Sequence, residues 1–314
     1  MRCGSARIHQ AGFNLIELMI AMVLGLLVIG AAFGIFLSNQ RGFQASQGLG
    51  RIQESTQVAF EMLARDLREA GGSPCDATAT AGNIVTNAAT VWYANWNRPL
   101  FGYDGSGLTG QVTGTDAIQL VRTGDSVQTT TATGLNSFSY TPNQTYSAGN
   151  VMMVCDGRVF GIFRAASPTA SSVAIASSPA NGCDYLPVPN AGICAGGAAQ
   201  YTFPKFAAIS RMLGIRWFVG APTGNAIGNA LYRQTDDGTP EEIVQGVQDM
   251  EVEYLGDAGY VAASGLADDV AWGNVRAVRV TLTLQEAEQS SASTDGQPLQ
   301  RTVTQTIALR NRNL

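Results

Sequence analysis

The chain has 314 residues, 45% of them hydrophobic, and a formal net charge of −5, which is enough length and apolar material for one large domain or two small ones. Its 19 basic residues are Lys205 and 18 arginines, scattered rather than gathered into a stripe, so no nucleic-acid footprint is predicted. The one histidine, His9, precedes the first apolar run; a chain cut after Gly12 would hold no Ser-His-Asp triad, no His-paired cysteine and no histidine-ligated zinc.

Residues 1–12 are short and polar, with Arg2 and Arg7 as fixed positive charges. From Leu18 to Leu37 there is neither a charge nor a proline. At about 1.5 Å per residue, that run can cross a hydrocarbon core of about 30 Å as a helix. A secretory signal places its apolar region before the cut, whereas the candidate cut here precedes it. Arg2 and Arg7 predict that this end stays in the cytoplasm, with Arg41 making the asymmetry modest, and that the bulk of the chain lies across the membrane. Glu17 stands at the head of the apolar run. An unpaired charge there costs at least about 2.5 kcal/mol, so a partner is expected.

Gly12-Phe13-Asn14-Leu15-Ile16-Glu17 followed by an uninterrupted apolar helix resembles the class III signal of type IV pilins and of the pseudopilins of type II secretion. The resemblance implies cleavage between Gly12 and Phe13 by the prepilin peptidase, N-methylation of Phe13, and pairing of Glu17 with the N-terminal amine of a neighbouring subunit during assembly. The physical chemistry agrees: the cut creates an ammonium near Glu17, and the same pair formed between chains would fix their axial stagger. Gly25, Gly30 and Gly34 would permit close helix approach. Major pilins usually carry a proline where this chain has Gly34, so the proline-linked helix break is not implied.

From 38 to 72 the pattern becomes amphipathic. Leu49, Ile52, Ala59, Met62, Leu63 and Leu67 are expected on one face, with Glu61–Arg65 and Arg65–Glu69 as i, i+4 pairs on the other. Gly71-Gly72 and Pro74 read as a stop. A continuous helix from Phe13 to Ala70 would be about 87 Å long. The predicted division is a leader (1–12), a transmembrane or filament-core helix (13–37), an amphipathic stalk helix (38–72) and a β-rich head (73–314).

In the head, Val151 to Cys155 and Arg158 to Phe163 flank Asp156-Gly157, a two-residue hairpin signal. Further strands are predicted at Ala117 to Arg122, Ile209 to Val219, Ala230 to Gln234, Met250 to Tyr254, Val275 to Leu284 and Thr302 to Leu309. Thr123 to Asn150 and Ala165 to Gly197 read as long surface loops or irregular edge strands. The expected fold class is therefore α+β, a long N-terminal helix packed on a mainly antiparallel sheet. Trp92, Tyr93 and Trp96 read as core or sheet packing. The acidic residues Asp236-Asp237 with Glu241-Glu242, and Asp268-Asp269, read as solvated loops, since their spacing does not follow a calcium-binding EF-hand.

Four cysteines follow the leader: Cys75, Cys155, Cys183 and Cys194. An even count outside the cytoplasm favours disulfides, and spacing alone leaves three pairings open. We take Cys183 with Cys194, stapling a loop, and Cys75 with Cys155, tying the end of the stalk to the hairpin. No cofactor or metal site is predicted.

Leu213-Gly214-Ile215-Arg216-Trp217-Phe218-Val219, Ala230-Leu231-Tyr232-Arg233, Glu242 to Tyr254, Val275 to Val280, and Ala70-Gly71-Gly72-Ser73-Pro74-Cys75 resemble the PilW-type minor pilins. The resemblance implies a low-copy, pilin-like subunit, single-pass in the inner membrane with a periplasmic head. It would join other minor pilins to prime type IV pilus assembly and possess no enzymatic activity. Its partners would be the prepilin peptidase, other minor pilins, the major pilin and the inner-membrane assembly platform, with no nucleic acid. The J-type minor pseudopilin of type II secretion is the nearest alternative; an enzyme or adhesin on a membrane stalk is a further one, without a G-x-S-x-G elbow, P-loop or dinucleotide fingerprint to favour it.

Overall fold

The computed structural model describes residues 14–312 apart from 77–78, 89, 133, 135, 190–193, 195–198, 225–227 and 287–297. One helix, α1 (Leu15–Glu69), runs 55 residues, about 82 Å at about 1.5 Å per residue. Asn14 enters it in extended backbone. It ends as the glycine pair predicts: Gly71 takes φ +70°, which costs glycine no Cβ clash, and the Gly72 N–H donates to Glu69 O at 2.8 Å.

The two halves of α1 have different surroundings. From Leu15 to Leu37 every large apolar side chain is exposed, and the head covers none of that stretch. Its length and composition suit a membrane span. Burial starts at Gly48 and continues through Ile52, Ala59, Phe60, Leu63, Ala64, Asp66 and Leu67. The face is thus rotated from the predicted one. Leu49 and Met62 remain 43% and 37% exposed, while Phe60, Ala64 and the charged Asp66 turn inward. Of the two predicted surface pairs, Arg65–Glu69 is formed at 3.8 Å.

The described residues of the head form β1 (Thr80–Asn83), β2 (Leu100–Tyr103), β3 (Ala117–Gln128), β4 (Ser137–Ser139), β5 (Val151–Cys155), β6 (Val159–Ala166), β7 (Ser172–Ile175), β8 (Ala208–Gly220), β9 (Ala230–Thr235), β10 (Glu241–Gln245), β11 (Val247–Gly256), β12 (Gly259–Val261), the short helix α2 (Asp269–Gly273), β13 (Ala277–Gln285) and β14 (Gln300–Ala308). Ten strands make one sheet along the path β10-β9-β8-β5-β6-β7-β4, with β1 added to β6 and β3, then β2, on the other edge of β8. The remaining four form a second sheet, β12-β11-β13-β14. Only the β1–β6 pair is parallel among the described strands. This is the α+β, mainly antiparallel architecture expected. The Ser/Thr-rich stretches, read as surface loops or irregular edge strands, contain both: β3 continues to Gln128, and the short edge strand β4 pairs with β7.

β8 is the axis of the head. Its first residues pair with β5 and its last with β9 on one edge, while β3 runs along the other. Helix α1 lies against β3, β10, β13 and β14. Leu63 and Leu67 thereby share one core with Trp217, Leu231, Met250, Val280 and Ile307 from both sheets. Farther from the helix, Phe138 stacks on Phe163 at 5.2 Å between ring centroids, and Trp92 and Tyr93 pack in another cluster with Met153 and Met212. Gly214 in β8 is what lets Trp92 lie so close, since a Cβ there would come within 2.4 Å of its ring.

Candidate functional site: the stalk helix and its seat on the head

Gly12 and Phe13, the predicted cleavage and methylation positions, lie outside the described residues, as do the leader, Cys3 and His9. Glu17 sits in the first turn of α1, where the positive end of the helix dipole favours a carboxylate. Its side chain is exposed and has no ion pair among the described residues. Gly25, Gly30 and Gly34 face open space, with nothing within 4 Å of a Cβ at any of them. The apolar half of the helix therefore presents a lone carboxylate and smooth, small-residue patches to whatever surrounds it.

The seat is built around a carboxylate that sequence reasoning did not single out. Asp66 is 5% exposed. Its Oδ2 accepts from Arg233 Nε at 2.8 Å and from Trp217 Nε1 at 3.0 Å, and Oδ1 accepts from Arg233 Nη2 at 3.3 Å. The forked guanidinium thus holds both carboxylate oxygens, and the hydrogen bond to Asp66 raises the Arg233 pKa further above its ordinary value. The signal in the sequence was a charge at an inward helical position, three residues after Leu63 and beside Leu67.

Three further contacts flank it. Glu286, at the end of β13, is buried and accepts from Arg51 Nη2 at 2.5 Å. Its carboxyl lies over Gly48, where a Cβ would come within 2.6 Å. At the other end, Arg122 Nε is 3.1 Å from Glu69 Oε2. The chain leaving the helix is bonded to β3, Gly71 N–H to Val121 O and Thr123 N–H to Gly72 O, both at 2.9 Å. Asn311 Nδ2 donates to Ala70 O at 3.3 Å.

The cysteines pair as Cys75–Cys155 and Cys183–Cys194, with Cα separations of 5.8 and 5.4 Å. The first bond anchors the segment after the stalk to β5. The acidic residues read as solvated loops mostly have protein partners instead. Asp236 binds Arg211 at 2.5 Å, Asp237 accepts from Trp92 Nε1 at 3.1 Å, and Glu242 takes the Thr223 N–H at 2.6 Å. Glu241 and Glu242 open strand β10, and Asp268 caps α2 while Asp269 pairs with Arg98. Among the described residues no group of three acidic, cysteine or histidine side chains could hold a metal ion.

A helix with a bare apolar first half, and a second half locked into an antiparallel head, defines a membrane-anchored protein of pilin-like architecture. Residues 7–33 match the prokaryotic N-terminal methylation motif, and residues 216–308 match the type IV pilus-assembly protein W family. Together they match a PilW-type pilin with a prepilin motif, and they support a minor-pilin role in type IV pilus assembly and contact with the pilus machinery. The second match covers Trp217, Arg233, the last five residues of β8 and the whole four-stranded sheet against which α1 packs. No curated protein and no solved structure matches the chain.

Proposed function

We propose that this chain is a non-enzymatic minor pilin that primes type IV pilus assembly. In this reading the prepilin peptidase cuts between Gly12 and Phe13, Phe13 is methylated, and the helix holds the subunit in the inner membrane with its head in the periplasm. Glu17 then pairs with the N-terminal amine of an adjacent minor or major pilin, and the apolar half of α1 passes from lipid into the filament core at the assembly platform. The observation that carries the proposal is the exposed span of Leu15 to Leu37 with Glu17 as its one charge, continuous with a helix seated on the head. A carboxylate without an ion-pair partner among the described residues, on an otherwise apolar helix surface, is what pairing between such helices requires.

The alternative, a J-type pseudopilin of type II secretion, shares the N-terminal segment; the match of residues 216–308 favours the pilus. A chromosomal deletion separates the two. Loss of surface pili and twitching with intact exoprotein release is expected, and the reverse result would transfer the chain to the secretion system. Complementation with Glu17→Ala should yield processed protein without pili; full piliation would refute the pairing role.

A further inference from the structure

The last turn of α1, strands β3 and β8 and the 3-10 turn Arg310–Arg312 enclose a groove of about 620 Å³. Arg65, Arg68, Arg122, Arg211 and Arg310 line it, against two carboxylates, Glu69 and Asp125. Part of this charge is already neutralised: Arg122 and Arg65 approach Glu69 at 3.1 and 3.8 Å, and Arg211 is held by Asp236 at 2.5 Å. Arg68 and Arg310 are exposed and have no side-chain hydrogen bond or ion pair among the described residues. The donor surplus extends below the surface. Buried Arg122 Nε is not aligned for a hydrogen bond with Glu69, and the buried hydroxyl of Tyr146, a residue that lines the groove, has no partner.

A bland explanation is that arginines offset the negative end of the α1 dipole, an effect worth about 0.3–1 kcal/mol and confined to the last turn. It accounts for Arg68. It does not account for arginines brought from β3, β8 and the C-terminal turn to the same place. Lipid headgroups are out of reach, because Arg65 lies about 42 Å along the helix from Leu37 at about 1.5 Å per residue. A nucleic-acid strand would need a continuous basic track with open aromatic faces. Here Tyr146 is buried against Tyr140 at 5.4 Å between centroids, and Glu69 and Asp125 stand within the groove.

We infer that this groove is a docking site for an acidic segment of a neighbouring protein, whose Asp or Glu carboxylates pair with Arg68 and Arg310. Forked guanidinium–carboxylate bonds suit such recognition and would set the orientation of the neighbour around the distal end of the stalk. The inference rests on the assembly reading only for the neighbour being a filament subunit, and a titration of purified protein keeps the two apart.

The full chain in detergent micelles is titrated with a hexaglutamate peptide by calorimetry. Saturable binding is expected, weakened by added salt and reduced about tenfold or more in the Arg68→Gln/Arg310→Gln double variant. Both side chains are exposed, so the variant should fold, and circular dichroism checks that it does. Arg301→Gln, in a different groove between α1 and β14, should bind as the parent does. Absence of peptide binding, equal affinity in the double variant, or tighter binding of inorganic phosphate or of a single-stranded oligonucleotide would overturn the assignment.

Discussion

Asp66 of the stalk and Arg233 of the head, 167 residues apart in the chain, form a two-pronged pair at 2.8 and 3.3 Å within an otherwise apolar seat. This pair fixes the rotation of α1, since a helix turned by one residue would bury Asp66 away from both Arg233 and Trp217. Replacing Asp66 by alanine leaves a half-buried guanidinium and a buried indole N–H without their shared acceptor. The expected cost is about 3–5 kcal/mol, read from denaturant unfolding followed by tryptophan emission. The double variant Asp66→Leu/Arg233→Met should recover much of that loss, because well-packed apolar residues can replace a buried pair. An unchanged midpoint in the single variant would show that packing alone holds the seat.

Gly48 and Gly50 should respond with opposite signs to the same substitution. Alanine normally stabilises a helix interior by about 0.5–1 kcal/mol relative to glycine. At Gly50 nothing lies within 4 Å of the added Cβ, so a gain is expected. At Gly48 the Cβ meets the buried Glu286 carboxyl, which Arg51 holds in place, so Gly48→Ala should lower the melting temperature. Equal shifts in both variants would mean that α1 is not pressed against Glu286.

Acid should loosen the hairpin between β5 and β6. Burial pushes the Asp156 carboxyl up, but the bonds it accepts from the Tyr201 hydroxyl at 2.5 Å and from the Val159 and Arg158 N–H groups outweigh that and hold its pKa below the usual carboxylate range. Tyr201 is pushed up to about 12, first by burial and then by the same bond. A carboxylate with a lowered folded pKa stabilises the fold above its unfolded value, near about pH 4, and loses that contribution as pH falls through the folded value. Asp156→Asn should therefore cost about 1–2 kcal/mol at pH 7. Thermal melts should show the gap to the parent closing in acid. Asp116, raised mainly by burial, acts with the reverse sign and favours the fold at low pH.

The two disulfides should differ in weight. Cys75–Cys155 closes 80 residues and Cys183–Cys194 closes 11. Chain entropy then assigns about 4.5 kcal/mol to the first and about 2.8 kcal/mol to the second. Removing Cys75 and Cys155 together as serines should lower the unfolding midpoint more than the matching change at Cys183 and Cys194.

The stalk was legible because its signal is local: a charge-free run, then helical periodicity, then two glycines. The orientation of its inner face was only partly so. Periodicity alone favoured Leu49 and Met62 over Asp66, and a charge turns inward only when remote residues such as Arg233 are there to receive it. Strands β1, β2, β10 and β12 escaped notice for a different reason. Each is three to five residues long, too short for alternation to show, and each is held by a longer neighbour rather than by its own composition. The arginine groove was likewise invisible, since its members are scattered from Arg65 to Arg310 and meet only when β3 and β8 come beside the end of α1. Motif and fold class are thus near-neighbour properties, whereas surfaces that receive a partner belong to the tertiary arrangement.

No residue of α1 before Gly48 is buried, although the apolar run ends at Leu37. Between the apolar run and the first buried position lie ten residues, Ser38 to Gln47, about 15 Å of helix of which Gln44 and Ala45 alone are partly covered. If the apolar run sits in the bilayer as proposed, this mostly uncovered length of helix would hold the head off the membrane surface and leave the lower stalk open to contact with a neighbouring helix.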